Sequence, residues 1–137
     1  MNSNVKQAVP FFMVADIQAS LRFYVDGLGF EMQNKWINNG KLAWCWLAIG
    51  GAAIMLQEHV IGFKPLGKKG EGVSVCFQCA DALAIYDDAL AKGLNPKEPF
   101  VGNGMWVCAF TDPDGYKIDF ESPTDAKEET TLSEWKR

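Results

Sequence analysis

VPFFMVADIQASLRFYVDGLGFE, residues 9–31, decides the fold. Its start is a β-rich apolar run: with residues 8–14 extended, Pro10, Phe12 and Val14 point to one face and Val9, Phe11 and Met13 to the other. Asp16 then offers a side-chain acceptor to the first N–H groups of a helix. Ile17, Leu21, Tyr24 and Leu28 recur at helical spacing, and Gly27 or Gly29 supplies the stop, which predicts a helix over 17–26. FEMQNKW, LAWCWLAI and AAIMLQE follow as three strands, parted by turns at Asn38-Asn39-Gly40 and Gly50-Gly51. The first half reads βαβββ.

The second half repeats that order. GVSVCFQC (72–79) is a strand, Asp81 caps a helix carrying Leu83, Tyr86 and Leu90, and Gly93 ends it. A strand near 99–101, then MWVCAF, a DPDG turn at 112–115 and YKIDFES complete the set. Asp81 lies 65 residues after Asp16, and Gly115 lies 64 after Gly51. One supersecondary unit is therefore present twice. The offset puts Val73, Val75 and Phe77 in phase with Pro10, Phe12 and Val14, and Ser74, Cys76 and Gln78 in phase with Val9, Phe11 and Met13. In the last strands Ile118 and Phe120 match Ile54 and Leu56, while Asp119 and Glu121 match Met55 and Gln57. The apolar sets pack on the helices; the mixed sets form the other face, whose composition suits a curved sheet closing around a ligand-sized cleft.

A chain of 137 residues, 48% hydrophobic and 22% charged, fits one ordinary globular domain. Thirteen Lys and Arg against 17 Asp and Glu give a net charge of −4, which excludes an extended nucleic-acid footprint. The opening MNSNVKQ lacks the apolar core of a leader, and the longest apolar stretch, 43–55, is broken by Gly50 and Gly51. The expectation is a cytoplasmic protein without a membrane partner. Cys45, Cys76, Cys79 and Cys108 are too few to staple a domain of this size, so free thiols are expected. Cys76 and Cys79 form a CxxC on a strand, where residues three apart face opposite ways, so the pair is a poor zinc site.

VPFFMVADIQASLRFYVDGLGFE together with FTDPDGYKIDF (110–120) resembles the vicinal oxygen chelate superfamily, which includes glyoxalase I, extradiol dioxygenases, fosfomycin-resistance enzymes and bleomycin-resistance proteins. The likeness covers residues 5–122. It implies an α+β fold in which two βαβββ modules, 5–60 and 70–122, form curved mixed sheets around a cleft in one domain, 1–122, usually as a homodimer. A polar tail, 123–137, follows; it is a frayed end or a short helix docking through Leu132 and Trp135.

The superfamily's metal enzymes hold a divalent ion at four positions, which correspond here to Val9, Met55, Ser74 and Asp119. Only Asp119 is a good ligand for such an ion. The single histidine, His59, lies beyond the fourth strand and reads as a surface loop residue. No metal and no cofactor are expected, and the site chemistry is closer to the metal-free bleomycin-resistance branch. The candidate ligand-binding residues are Val9, Phe11, Met13, Met55, Gln57, Ser74, Cys76, Gln78, Asp119 and Glu121. They combine packing surface for a flat or apolar molecule with carboxylates for a polar or cationic group. The expected role is binding a small organic molecule by sequestration, with no catalytic residue assigned. The alternatives are a metal-dependent lyase, isomerase or dioxygenase, and a non-catalytic regulatory or interaction module. Alternation leaves open which faces Trp44, Trp46 and Trp106 take, and the DPDG turn is explained by turn geometry alone.

Overall fold

A computed structural model describes residues 4–59 and 67–135; residues 1–3, the expected module end at 60 and the last two residues of the tail lie outside them. The first module runs β1 (Phe11–Val14), α1 (Ile17–Leu21), β2 (Glu31–Asn38), β3 (Lys41–Ile49) and β4 (Ala52–Glu58). The second runs β5 (Val75–Gln78), α2 (Ala82–Ala91), β6 (Phe100–Gly102), β7 (Met105–Thr111) and β8 (Lys117–Pro123), and α3 (Leu132–Trp135) follows. Each module forms a four-stranded mixed sheet, ordered β1-β4-β3-β2 in one and β5-β8-β7-β6 in the other. Both begin with a parallel pair, Phe11 opposite Met55 and Cys76 opposite Asp119, so the 65- and 64-residue offsets hold at the level of register.

Both helices start at the expected aspartates. Asp16 accepts from the N–H groups of Gln18 and Ala19, and Asp81 from that of Ala84. The last strand of each module secures the helix a second time: Glu58 accepts from Ile17 N–H at 3.0 Å, and Ser122 from Ala82 N–H at 2.8 Å. The Ile17 bond, with the Lys41 ammonium 2.9 Å away, pulls the Glu58 carboxyl below its usual range.

Four local readings are corrected. Pro10 accepts from Met55 N–H but has no N–H to give, so regular pairing in the first strand starts at Phe11 and not at 8. The fifth strand starts at Val75 and not at 72, because Val73 N–H bonds back to Gly70 C=O in a turn; Val9 and Ser74 therefore lie just outside their strands, and Val73 is exposed. The first helix is α-helical only to Leu21 and widens into a π-helix over Arg22–Gly27. There the neighbours Phe23 and Tyr24 both pack inward, Phe23 edge-on to Phe110 and Tyr24 onto Asp112. In the second helix Ala82, Leu83 and Ala89 are buried, while Leu90, a member of the expected stripe, is exposed one residue past the buried Ala89.

One core lies between the helices and the inner faces of both sheets. Phe12, Ile54 and Leu56 from one module share it with Phe77, Cys108, Phe110, Ile118 and Phe120 from the other. The halves are joined by Phe30 against Phe77 and by a polar clamp. Tyr24 donates to Asp112 at 2.8 Å, and Asp112 also accepts from the N–H groups of Asp114 and Tyr116. Tyr116 stacks on Phe12 and donates to Met13 C=O, while Asp114 accepts from Ala15 N–H. The helix motif and the DPDG turn are thus two halves of one contact.

The tail folds back on the second module. Glu129 N–H donates to Val101 C=O and Val101 N–H to Thr130 C=O, Thr131 bridges to Phe100, and Trp135 meets Trp106 edge-on at 5.2 Å. Ending the chain after Pro123 removes these backbone bonds and bares Trp106. The expected loss is about 2–4 kcal/mol, read as a lower urea midpoint; an unchanged midpoint would show that the contacts carry no stability.

Candidate functional site

Ladder partners lie on the same side of a sheet, so register assigns the outer faces. In the first module Met13, Gln57, Trp44 and Trp36 form one cross-strand row, and Phe11, Met55, Trp46 and Asn34 the next. In the second, Cys76, Asp119 and Ala109 form one row, and Gln78, Glu121, Val107 and Phe100 the other. These faces point away from the shared core. Phe11, Trp36 and Phe100 are 48%, 51% and 43% exposed, unusual for side chains of that size.

The ten candidate residues divide by module. Phe11, Met13, Met55 and Gln57 lie on the first outer face and Cys76, Gln78, Asp119 and Glu121 on the second, while Val9 and Ser74 sit at the strand entrances. Trp44 and Trp46 belong to the first face together with Trp36, whereas Trp106 is buried on the core side. The Trp44-x-Trp46 spacing places both on one side; only the register against Gln57 and Met55 shows which.

The two faces differ in chemistry. The two rows of the first are neutral, built of aromatic rings, thioethers and two amides, with Glu31, opposite Ala48, one row beyond them; on the second face Lys117, opposite Thr111, lies one row beyond Asp119. On the second, Gln78 donates to Glu121 at 2.8 Å, and the Cys76 thiol lies 3.8 Å from an Asp119 oxygen. Burial, and then the Glu121 charge, push the Asp119 carboxyl up, against the thiol and Lys97. Burial also raises the Cys76 thiol; Ser74 opposes this and both carboxylates reinforce it, so the thiol stays protonated and weakly nucleophilic. All four cysteines are free, with burial pushing Cys45 up to about 11 and Cys108 up to about 12. His59 is half-buried, not a surface loop residue: its backbone N–H donates to Val14 C=O, and Nε2 is enclosed without a hydrogen-bond partner among the described residues.

The donor set does not fit the superfamily's divalent ion. Val9 and Met55 bring no suitable donor, Ser74 a neutral hydroxyl, and Asp119 the one carboxylate. Cys76, Asp119 and Glu121 do bring a sulfur and two oxygens within 4.8 Å of one another, a grouping that shares only Asp119 with those four positions.

Two four-stranded mixed sheets built from repeated βαβββ modules define a class, and residues 6–120 match the glyoxalase/bleomycin resistance protein/dioxygenase superfamily. The chain belongs to that superfamily. TnmS3, an antibiotic binding protein from Streptomyces sp. CB03234, superposes with a TM-score of 0.69 at 20% identity, over 90% of this chain and 100% of that one. A glyoxylase/bleomycin resistance protein/dioxygenase domain from Frankia sp. EAN1pec gives 0.70 at 17% identity, over 91% and 96%. A virulence protein from Salmonella typhimurium gives 0.64 at 22%, over 88% and 98%. No curated protein matches the sequence. No described helix is long and apolar enough to cross a membrane.

Proposed function

We propose that this chain binds a flat, cationic organic molecule between the aromatic outer face of one copy and the acidic outer face of a second, and holds it without reaction and without a metal. The observation that carries the reading is the neutral face of Trp36, Trp44, Trp46, Phe11, Met13 and Met55, left open in a chain whose other outer face presents Asp119 and Glu121. Both faces turn away from the single core, so a second copy is needed to set one against the other. Rings and thioethers stack on a planar ligand, and a carboxylate pair partly withdrawn from water favours a positive group. The fold is shared with an antibiotic binding protein, but fold alone does not transfer function; the face chemistry supports the reading.

Proflavine, a planar aromatic cation, is the probe. Its titration is expected to quench tryptophan emission saturably at one probe per chain in protein that sediments as a dimer. Quenching that rises linearly with probe, in protein that sediments as a monomer, would remove the proposal. A second reading, a metal-dependent lyase, isomerase or dioxygenase, has the Cys76, Asp119 and Glu121 grouping in its favour.

A further inference from the structure

The two junctions between the modules obey the same offset but are filled differently. On one side the β7–β8 hairpin meets β1: the Tyr116 ring stacks on Phe12 at 4.2 Å and 8°, and its hydroxyl donates to Met13 C=O at 2.8 Å. Behind it, Tyr24 reaches Asp112. On the other side the β3–β4 turn and β5 line one pocket, and the repeat replaces the members of the clamp. The 64- and 65-residue offsets turn Tyr116 into Ala52 and Tyr24 into Ala89; the β3–β4 turn is one residue shorter, so the place of Asp112 falls to Ile49, 63 residues earlier, which pairs with Ala52 as Asp112 pairs with Tyr116. Phe12 and Met13 become Phe77 and Gln78.

Where the first junction holds two tyrosines and an aspartate, the second holds space. An open pocket of about 530 Å³ lies between Ile49–Ala52 and Cys76–Cys79, with Ile85 and Phe120 also in its wall. A smaller one of about 180 Å³, sharing Ile49, Ile85 and Phe120, reaches Ala89. The larger borders Ala52, the counterpart of Tyr116, and the smaller borders Ala89, the counterpart of Tyr24.

We propose that this junction is a second binding site, for a neutral phenol-type molecule that takes the place a tyrosine occupies in the opposite junction. The ring lies on Phe77 as Tyr116 lies on Phe12. The hydroxyl donates to Gln78 C=O, the counterpart of Met13 C=O; β1 and β5 are both edge strands, so both carbonyls lie on an outer edge. Ile49, Ile85 and Phe120 flank the ring's apolar rim. Asp119 and Glu121 are not among the residues that line the pocket, so the site is chemically separate from the acidic face, although Cys76 and Gln78 border both.

The test is titration of the full chain with p-cresol, the tyrosine side chain as a free molecule, read on the Ile49 and Ile85 methyl resonances. Saturable shifts are expected, with toluene, which lacks the hydroxyl, binding about fivefold more weakly. Ala52→Tyr supplies the ring covalently; it is expected to abolish the p-cresol response and leave proflavine binding unchanged. Shifts that grow linearly with p-cresol, or an Ala52→Tyr chain that binds it as the wild type does, would overturn the proposal. Should Ala52→Tyr not fold, Tyr116→Ala opens the mirror junction. Its melting temperature is then expected to rise with p-cresol more than the wild type's does, and equal rises would count against the site.

Discussion

Asp112→Ala is expected to lower stability by about 2–4 kcal/mol, because it orphans three donors at once. Asp112 is 4% exposed and takes the Tyr24 hydroxyl on one oxygen and the Asp114 and Tyr116 N–H groups on the other. Tyr24 is itself fully buried, so its hydroxyl cannot turn to water. Asp112→Asn keeps an oxygen for the two N–H groups and an amide that can donate to Tyr24, so its loss should be less than half as large. Urea unfolding measures both; equal losses would mean that the charge matters and the hydrogen-bond count does not. The sign of the pH dependence follows from burial, which outweighs these bonds and pushes the Asp112 carboxyl up. The folded state then holds the proton more tightly than the unfolded state. This group's contribution grows as pH falls through its raised folded pKa and is lost as pH rises, a slope that Asp112→Asn lacks.

Asp119→Asn is expected to weaken proflavine binding about tenfold, with Glu121→Gln costing less. A charge partly screened from water at contact distance is worth on the order of 1–2 kcal/mol. Asp119 is the half-buried centre of its row, opposite both Cys76 and Ala109, and its carboxyl is raised by burial and by Glu121. Wild-type affinity should therefore begin to fall, as pH is lowered, at a higher pH than an ordinary aspartate would set. In Asp119→Asn that early fall disappears. A tenfold loss on Asp119→Asn with no change in the pH profile would assign the effect to packing instead of charge.

The repeat was legible because local rules mark its parts: Asp16 and Asp81 as caps, Gly51 and Gly115 in the turns, and alternation in every strand between. The division of Phe12 and Val14 from Phe11 and Met13, and of Phe77 from Cys76 and Gln78, follows from a period of two and agrees with the burial. Strand starts were less legible: Pro10 accepts from Met55 but has no N–H to give, and Val73 N–H is taken by Gly70 C=O in a turn, while side-chain alternation runs on unchanged through both positions. The Tyr24 to Asp112 contact joins residues 88 apart, and nothing local in the DPDG turn distinguishes an aspartate that shapes its own loop from one that also receives a distant hydroxyl. The tryptophans needed register: Trp36, Trp44 and Trp46 fall on the outer face and Trp106 in the core only once each strand's neighbour is known.

The reading that the outer faces bind an organic cation rests on their rings and carboxylates, and its metal-free part on Val9, Met55 and Ser74 standing at the positions that the resemblance assigns to metal ligands. The most direct measurement is the proflavine affinity of one preparation as purified, after exhaustive chelation, and after reloading with Fe, Ni, Zn or Mn, with the metal-to-chain ratio determined each time. One affinity throughout and a ratio near zero are expected. An affinity that appears only at about one metal per chain, and that Asp119→Asn abolishes together with the metal, would contradict this and make the metal-dependent reading the stronger one.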